Sequence, residues 1–296
     1  MSKSILGFFG HHKAGTTWIM SILNSLCMDM GIKHVHCHSP KIFNFKLQEF
    51  ISKNNIRFIS YTNANIKFVE PLLPFIKGFH VVRDPRDVIV SAYFSHLYSH
   101  SDRFWPELKD YRQQLKNVTK EEGLIITIKN LELLKTDGVE LQFFNSLETW
   151  NYTLPNILEI KFEEFINRPY SVFLEIFKFL DLLHDAHQDW ETMLIYPVYA
   201  FNQITMRSLK KLGIPQQYPI TLNKIYPWRL LKAVNDRSFD KLSGGRKVGQ
   251  ENLNSHYRKG TPGDWKQHFT EYHKEIFKEK YNHILTKLNY ESDDKW

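Results

Sequence analysis

The apolar positions along the chain switch repeatedly between two periods. Ser4–Phe9 (SILGFF) is a short apolar run closed by a glycine-containing turn, the pattern of a buried strand. From Thr16 to Met30 the residues Trp18, Ile19, Ile22, Leu23, Leu26 and Met30 fall at helical spacing, and Gly31 supplies a stop. Lys33–His38 (KHVHCH) alternates and predicts a second strand. Helix is expected over Phe45–Lys53, and strand over Arg57–Tyr61 and Gly78–Arg83 (GFHVVR). Asp84-Pro85 ends that strand and opens a helix to about His96, with Asp84 as cap and Pro85 as first helical residue. Further helices are expected over Glu121–Lys135, Leu141–Thr153, Tyr170–Leu182, Ala186–Leu194 and Thr270–Leu288, with a strand over Ile157–Phe162 (ILEIKF). Helices alternate with strands, which predicts an α/β fold whose sheet is largely parallel and whose ligands sit at the strands' carboxyl ends.

Residues 196–262 depart from this rhythm. Prolines recur at 197, 215, 219, 227 and 262, and the stretch is densely basic, from Arg207 to Lys259. Weak periodicity over such a length predicts a mobile lid, at about 205–255, or else an interaction surface, on a single domain covering 1–296. The net charge of +7 adds an anionic partner to the picture without saying which. Aromatic residues at 15% predict ring-lined pockets. Cys27 and Cys37 form no CxxC, so neither a disulfide framework nor a zinc site is expected. The N-terminal apolar stretch is too short for a signal segment and no run is long enough for a membrane span, so a soluble, cytoplasmic protein is expected.

The chemistry concentrates first in GFFGHHKAGTTW, residues 7–18. Gly10 and Gly15 have the spacing of a phosphate loop, G-x-x-x-x-G-K-[ST], and Thr17 stands where the metal-binding hydroxyl would be. The lysine is displaced: Thr16 occupies its slot, and Lys13 lies two residues before Gly15. A turn between strand and helix points N–H groups at an anion and adds the helix dipole. Hydroxyls plus one cation on the loop suit an anion handled without metal. The second element is FHVVRDPRDVIVSAYF, residues 79–94, where Arg83 closes a strand and can fork onto a phosphate, and Ser91 adds a hydroxyl two turns into the helix. The third is HYRKGTPGDWKQHF, residues 256–269, where Arg258 and Lys259 flank the flexible Gly260 as an anion clamp would.

Taken together, HKAGTTW, RDPRDVIVSAYF and RKGTPGDWKQHF, in this order, resemble the signatures of the sulfotransferases that use 3′-phosphoadenosine 5′-phosphosulfate (PAPS), over residues 4–270. The resemblance implies a P-loop-like, three-layer αβα fold. It assigns Lys13, Ala14, Gly15, Thr16 and Thr17 to the 5′-phosphosulfate, with Lys13 on its bridging oxygen. On the same resemblance Trp18 would stack on adenine, Arg83 and Ser91 would hold the 3′-phosphate, and Arg258, Lys259 and Gly260 would complete its clamp. Phe201, in YAFNQI, is a looser match to an adenine-packing aromatic. No metal is implied, and the product would be 3′,5′-adenosine bisphosphate (PAP).

In-line sulfuryl transfer needs a base for the acceptor's proton. The family's histidine in a KTHLP-like stretch is missing here, where RFISYTNANI stands at residues 57–66. A period of two puts His34, His36 and His38 on one face of the second strand, with His36 the first choice; His11 and His12 in the loop are alternatives, and Glu70 a weaker one. The aromatics Phe43, Phe45, Tyr61, Phe104, Trp105, Tyr218, Tyr226 and Trp228 suggest an aromatic or apolar small-molecule acceptor, while the basic lid equally permits an acidic or sugar one. Three rivals remain at this level: a P-loop kinase or NTPase, which needs the lysine that Thr16 replaces; a nucleic-acid binder, less well matched because the basic residues have a small polyanion to hold; and a PAPS- or PAP-binding homologue impaired in catalysis.

Overall fold

A computed structural model describes residues 5–102, 105–185, 189–213 and 220–296. The chain runs β1 (Ile5–Gly10), α1 (Thr16–Met30), β2 (His34–Cys37), α2 (Leu47–Lys53), β3 (Phe58–Tyr61), α3 (Ile66–Val69), β4 (Ile76–Val82) and α4 (Pro85–Phe94). It continues through α5 (Leu108–Lys116), α6 (Lys120–Asn130), a short hairpin of β5 (Lys135–Thr136) and β6 (Val139–Glu140), α7 (Phe143–Thr149), β7 (Ile157–Lys161), α8 (Phe162–Asn167) and α9 (Pro169–Phe179). It ends with α10 (Asp189–Lys211), α11 (Pro227–Asn235), α12 (Phe239–Leu242) and α13 (Glu271–Lys287).

The five longer strands form one parallel sheet in the order β2-β3-β1-β4-β7. Helices cover both faces, so the strands are apolar on both sides. Alternation along β1 sends Leu6 and Phe8 to the face packed by α1, α9 and α11, and Phe9 to the opposite face beside Trp150. Phe8 and Phe79 of β4 stack at 4.8 Å between ring centroids. A third cluster joins α4, α6, α7 and α13 around Leu124, Phe144 and Phe277. The expected αβα layering with a parallel sheet is therefore present.

The boundaries of the elements shift where local chemistry competes with periodicity. The helix expected over Glu121–Lys135 stops at Asn130 because Asp137 and Gly138, both at positive φ, turn the chain into the hairpin. The weakly periodic region carries more helix than its pattern suggests. Helix α10 passes through Pro197 without a break and buries Tyr199, Asn202 and Met206. On α11, Leu230, Ala233 and Val234 enter the core. The first residues of the helix expected from Ala186, and residues 214–219 in the first part of the expected lid, lie outside the described residues. No helix among the described residues is long and apolar enough to cross a membrane. Cys27 and Cys37 are both free and buried.

Candidate active site

The central strand β1 delivers its carboxyl end, Gly10, into the loop that precedes α1. Two residues of that loop hold the left-handed conformation, Lys13 at φ 61 and Gly15 at φ 72. A left-handed lysine costs free energy, and such strain persists where the surroundings over-determine it. At Gly15 a Cβ would lie 2.2 Å from the Phe162 ring, so only glycine fits. The turn leaves the first N–H groups of α1 without side-chain caps, open to an anion.

A cavity of about 460 Å³ opens above this loop, within the range of small-molecule sites. Its wall contains Lys13, Gly15, Thr16, Thr17 and Trp18 from the loop and α1, Arg83 and Ser91 from the β4–α4 unit, and Arg258, Lys259 and Gly260 from the late segment. Segments separated by some 70 and 170 residues thus meet at one place, as the three motifs predict. Ala14 is buried beneath the loop, its N–H donating to the His11 carbonyl at 3.2 Å.

The cations are braced from behind. Arg83 Nη1 donates to the Lys13 carbonyl at 3.1 Å, and its guanidinium lies 5.0 Å over the Phe162 ring. Arg83 Nε is buried and has no hydrogen-bond partner among the described residues, a donor waiting for an acceptor. Asp84 caps α4 as expected, accepting from the Arg86 N–H at 2.9 Å. Asp87 accepts from the N–H groups of Gly263 (2.7 Å) and Trp265 (2.9 Å), which ties the β4–α4 unit to the late segment. Asp264 pairs with Arg258 and, at 2.5 Å, with Lys259. Burial pushes the Asp264 carboxyl up, but hydrogen bonds from His268, Lys259 and Arg258 outweigh it and hold the group below the usual carboxylate range. Lys13 shows the opposite balance: burial, then the charges of Arg83 and Arg258, lower its pKa to about 7. Crowded cations around an open space, with an orphan donor among them, fit a multiply charged anion.

Two residues not singled out in the sequence support this site, Arg246 from behind the wall and Phe239 at the wall itself. Arg246 donates to the carbonyls of Gln250 and Arg258, both at 2.7 Å, to Ser255 Oγ at 3.0 Å and to the Tyr257 carbonyl. It fastens the loop that presents Arg258. Phe239 lines the cavity, and a Cβ on Gly260, which sits at φ 74, would come within 2.7 Å of its ring. Phe239 is thus an aromatic at the cavity wall, where Phe201 is not. On α10 the inward positions are Tyr199, Asn202 and Met206, which turns Phe201 outward and leaves it half-exposed, away from the cavity. Trp18 stays at the wall, its Nε1 donating to the Arg237 carbonyl at 2.8 Å.

The histidines divide sharply. His34 and His36 share a face of β2, as predicted, but that strand is the sheet edge, and their Nε2 atoms meet Ser60 Oγ (2.8 Å) and Thr62 Oγ1 (3.0 Å). His38 pairs with Asp137 at 3.1 Å. None of the three lines the cavity, because β3 separates β2 from β1 and its loop. Glu70, at the start of a short 3₁₀ turn, is also away from it. His11 turns down into the core, its Nε2 at 2.8 Å from His80 Nε2, with His80 Nδ1 at 2.6 Å from Glu159. Only His12 of the expected five reaches the cavity, and His100 and His256, not foreseen, join it there. The expected acceptor aromatics fare similarly. Phe43, Tyr61 and Tyr226 are core residues, and Phe104 and Tyr218 lie outside the described residues. The rings at the wall are instead Trp18, Phe162, Phe165, Tyr170, Phe239 and Tyr257.

Among the described residues one group could hold a metal ion, Glu251, Asp264 and His268, but its carboxylates already pair with Arg258 and Lys259.

The sequence model of the sulfotransferase domain family matches residues 8–289. Among solved structures, mouse sulfotransferase SULT7A1 complexed with PAP is 16% identical with a TM-score of 0.55, covering 96% of this chain and 85% of its own. Retinol dehydratase in complex with androsterone and inactive cofactor PAP is 12% identical with a TM-score of 0.49, covering 96% and 81%. No curated protein matches the chain significantly. The match over nearly the whole length, on a fold whose three motif segments meet in one cavity, makes the chain a member of the sulfotransferase domain family, an enzyme of sulfuryl transfer.

Proposed function

We propose that the cavity binds PAPS and moves its sulfuryl group, without a metal ion, to a hydroxyl or amine of a small acceptor. The observation that carries this reading is the convergence of the Lys13–Thr17 loop, the Arg83–Ser91 pair and the Arg258–Gly260 clamp on one space. In it the loop N–H groups and the hydroxyls of Thr16 and Thr17 hold the 5′ end, and Arg83, Ser91, Arg258 and Lys259 hold the 3′-phosphate. Trp18 and Phe239 pack the base. The bound nucleotide supplies an activated sulfuryl group on a phosphate leaving group. Lys13 stabilises the charge that grows on the leaving bridging oxygen; removing one such donor typically costs about 10²–10³ in kcat. The acceptor's proton goes to a cavity histidine instead of one on β2.

The aromatic wall favours an acceptor with an apolar body over a nucleic acid, and the single domain would close over it with the 205–255 region as lid. Free, buried Cys27 and Cys37 suit a reducing, cytoplasmic location. The test is calorimetric titration with PAP, with and without EDTA, beside ATP–Mg. Tight, EDTA-insensitive PAP binding with weak ATP binding is expected, followed by sulfation in an acceptor screen. A preference for ATP–Mg would overturn the reading in favour of a kinase.

A further inference from the structure

Transfer in line with the leaving oxygen puts the acceptor in the same cavity as Lys13, so its base must be there too. Three histidines line that wall: His12, His100 and His256. They are not equally prepared. The Nε2 of His12 is engaged by His96 Nε2 at 2.9 Å. His256 packs edge-on against Tyr257, and among the described residues no hydrogen bond fixes its tautomer. His100 is held by both its backbone and its ring. Its Nδ1 lies 3.2 Å from the Ser101 carbonyl, which can only accept, so Nδ1 carries the proton and Nε2 presents a lone pair. Its backbone N–H donates to the Ser95 carbonyl at 2.7 Å, and its carbonyl accepts from Arg112, which also holds the His96 carbonyl at 2.7 Å. The ring stands edge-on to buried Trp105, 5.1 Å between centroids and 77° between planes. A clamped backbone and a fixed tautomer are what a general base requires.

We propose that His100 is the catalytic base of this enzyme, its Nε2 taking the acceptor's proton as the acceptor oxygen attacks sulfur. The inference rests on the PAPS reading above. In the step one S–O bond forms to the acceptor, the S–O bond to the bridging oxygen breaks, PAP leaves with that oxygen's electron pair beside Lys13, and the proton ends on His100. Burial, and then the nearby Lys13 charge, lower the His100 pKa, which keeps the ring in its proton-accepting form at neutral pH.

The test compares the wild type with His100→Gly, using PAPS with phenol and with 4-nitrophenol, and following PAPS hydrolysis where neither phenol reacts. The variant should bind PAP as the wild type does. Its turnover with phenol should fall by about 10²–10⁴. The loss should be much smaller with 4-nitrophenol, which ionises without help, and added imidazole should restore turnover with phenol or water. Retained phenol turnover, or an equal loss with both phenols that imidazole does not relieve, would overturn the assignment. So would a wild type that binds PAP but transfers to neither phenol nor water. A wild type that fails to bind PAP would instead overturn the PAPS reading.

Discussion

At the scale of single residues, Lys13 carries a consequence that can be measured without any acceptor. Burial and the charges of Arg83 and Arg258 lower its pKa to about 7 in the ligand-free protein, against an ordinary value of 10.5. Its charged form is therefore disfavoured, and the lysine is largely neutral in mildly alkaline buffer. An anionic ligand reverses the balance and raises the pKa, so binding must take up a proton in the window between the two values. Affinity for PAP should fall as pH rises from about 7 towards 10. Calorimetry in buffers of different ionisation enthalpy should report net proton uptake, and Lys13→Met should abolish it. Gly260→Ala tests the other side of the cavity. At φ 74, with Phe239 2.7 Å from the added Cβ, the substitution must move either the clamp or the ring, and PAP binding should weaken while far-ultraviolet circular dichroism is unchanged.

Between elements, position is decided by a few buried polar ties. Asp29 at the end of α1 is wholly buried and pairs with Arg229 of α11 at 2.8 Å. Gln203 of α10 donates to the same carboxylate at 2.9 Å. Removing one partner of a buried pair typically costs about 3–5 kcal/mol, and Asp29→Ala should lose stability of that order in urea unfolding. Arg246 is a different case, since it holds a loop and not the core. Arg246→Ala should release the segment 250–258, weaken PAP binding through Arg258, and leave the melting temperature nearly unchanged. Arg246→Lys should not rescue it, because a single ammonium cannot serve the acceptors that the planar guanidinium reaches.

For the molecule as a whole, the net charge of +7 and the cation-lined cavity predict a fold tightened by its anionic ligand. PAP at about 100 times its Kd should add ~2.7 kcal/mol to the stability of the native state, seen as a rise in melting temperature. EDTA should not reduce that rise, whereas added salt should, because part of the attraction is screened Coulomb energy. A rise abolished by EDTA would mean that a metal ion takes part in nucleotide binding.

Local chemistry is what the sequence carried openly. The left-handed Gly15 of the loop and the Asp84-Pro85 helix start are short-range devices that stand where their residues predict, and the Arg258–Gly260 segment reaches the same cavity. The alternation of strand and helix likewise led to the parallel sheet, because periodicity depends only on neighbours a few residues apart. The tertiary structure decided which histidine meets the cavity. His36 satisfies every rule of spacing on β2, yet strand order sets β3 between it and the loop. His100 lies in an irregular turn after α4 that periodicity does not describe, and only the fold brings it to the wall that Lys13 lines. Phe201 points away from the cavity for the same reason: facing is set by which side of a helix packs, a property of the partner surface and not of the segment. A parallel sheet gathers its chemistry from loops far apart in sequence, and strand order, which no local pattern encodes, selects among them.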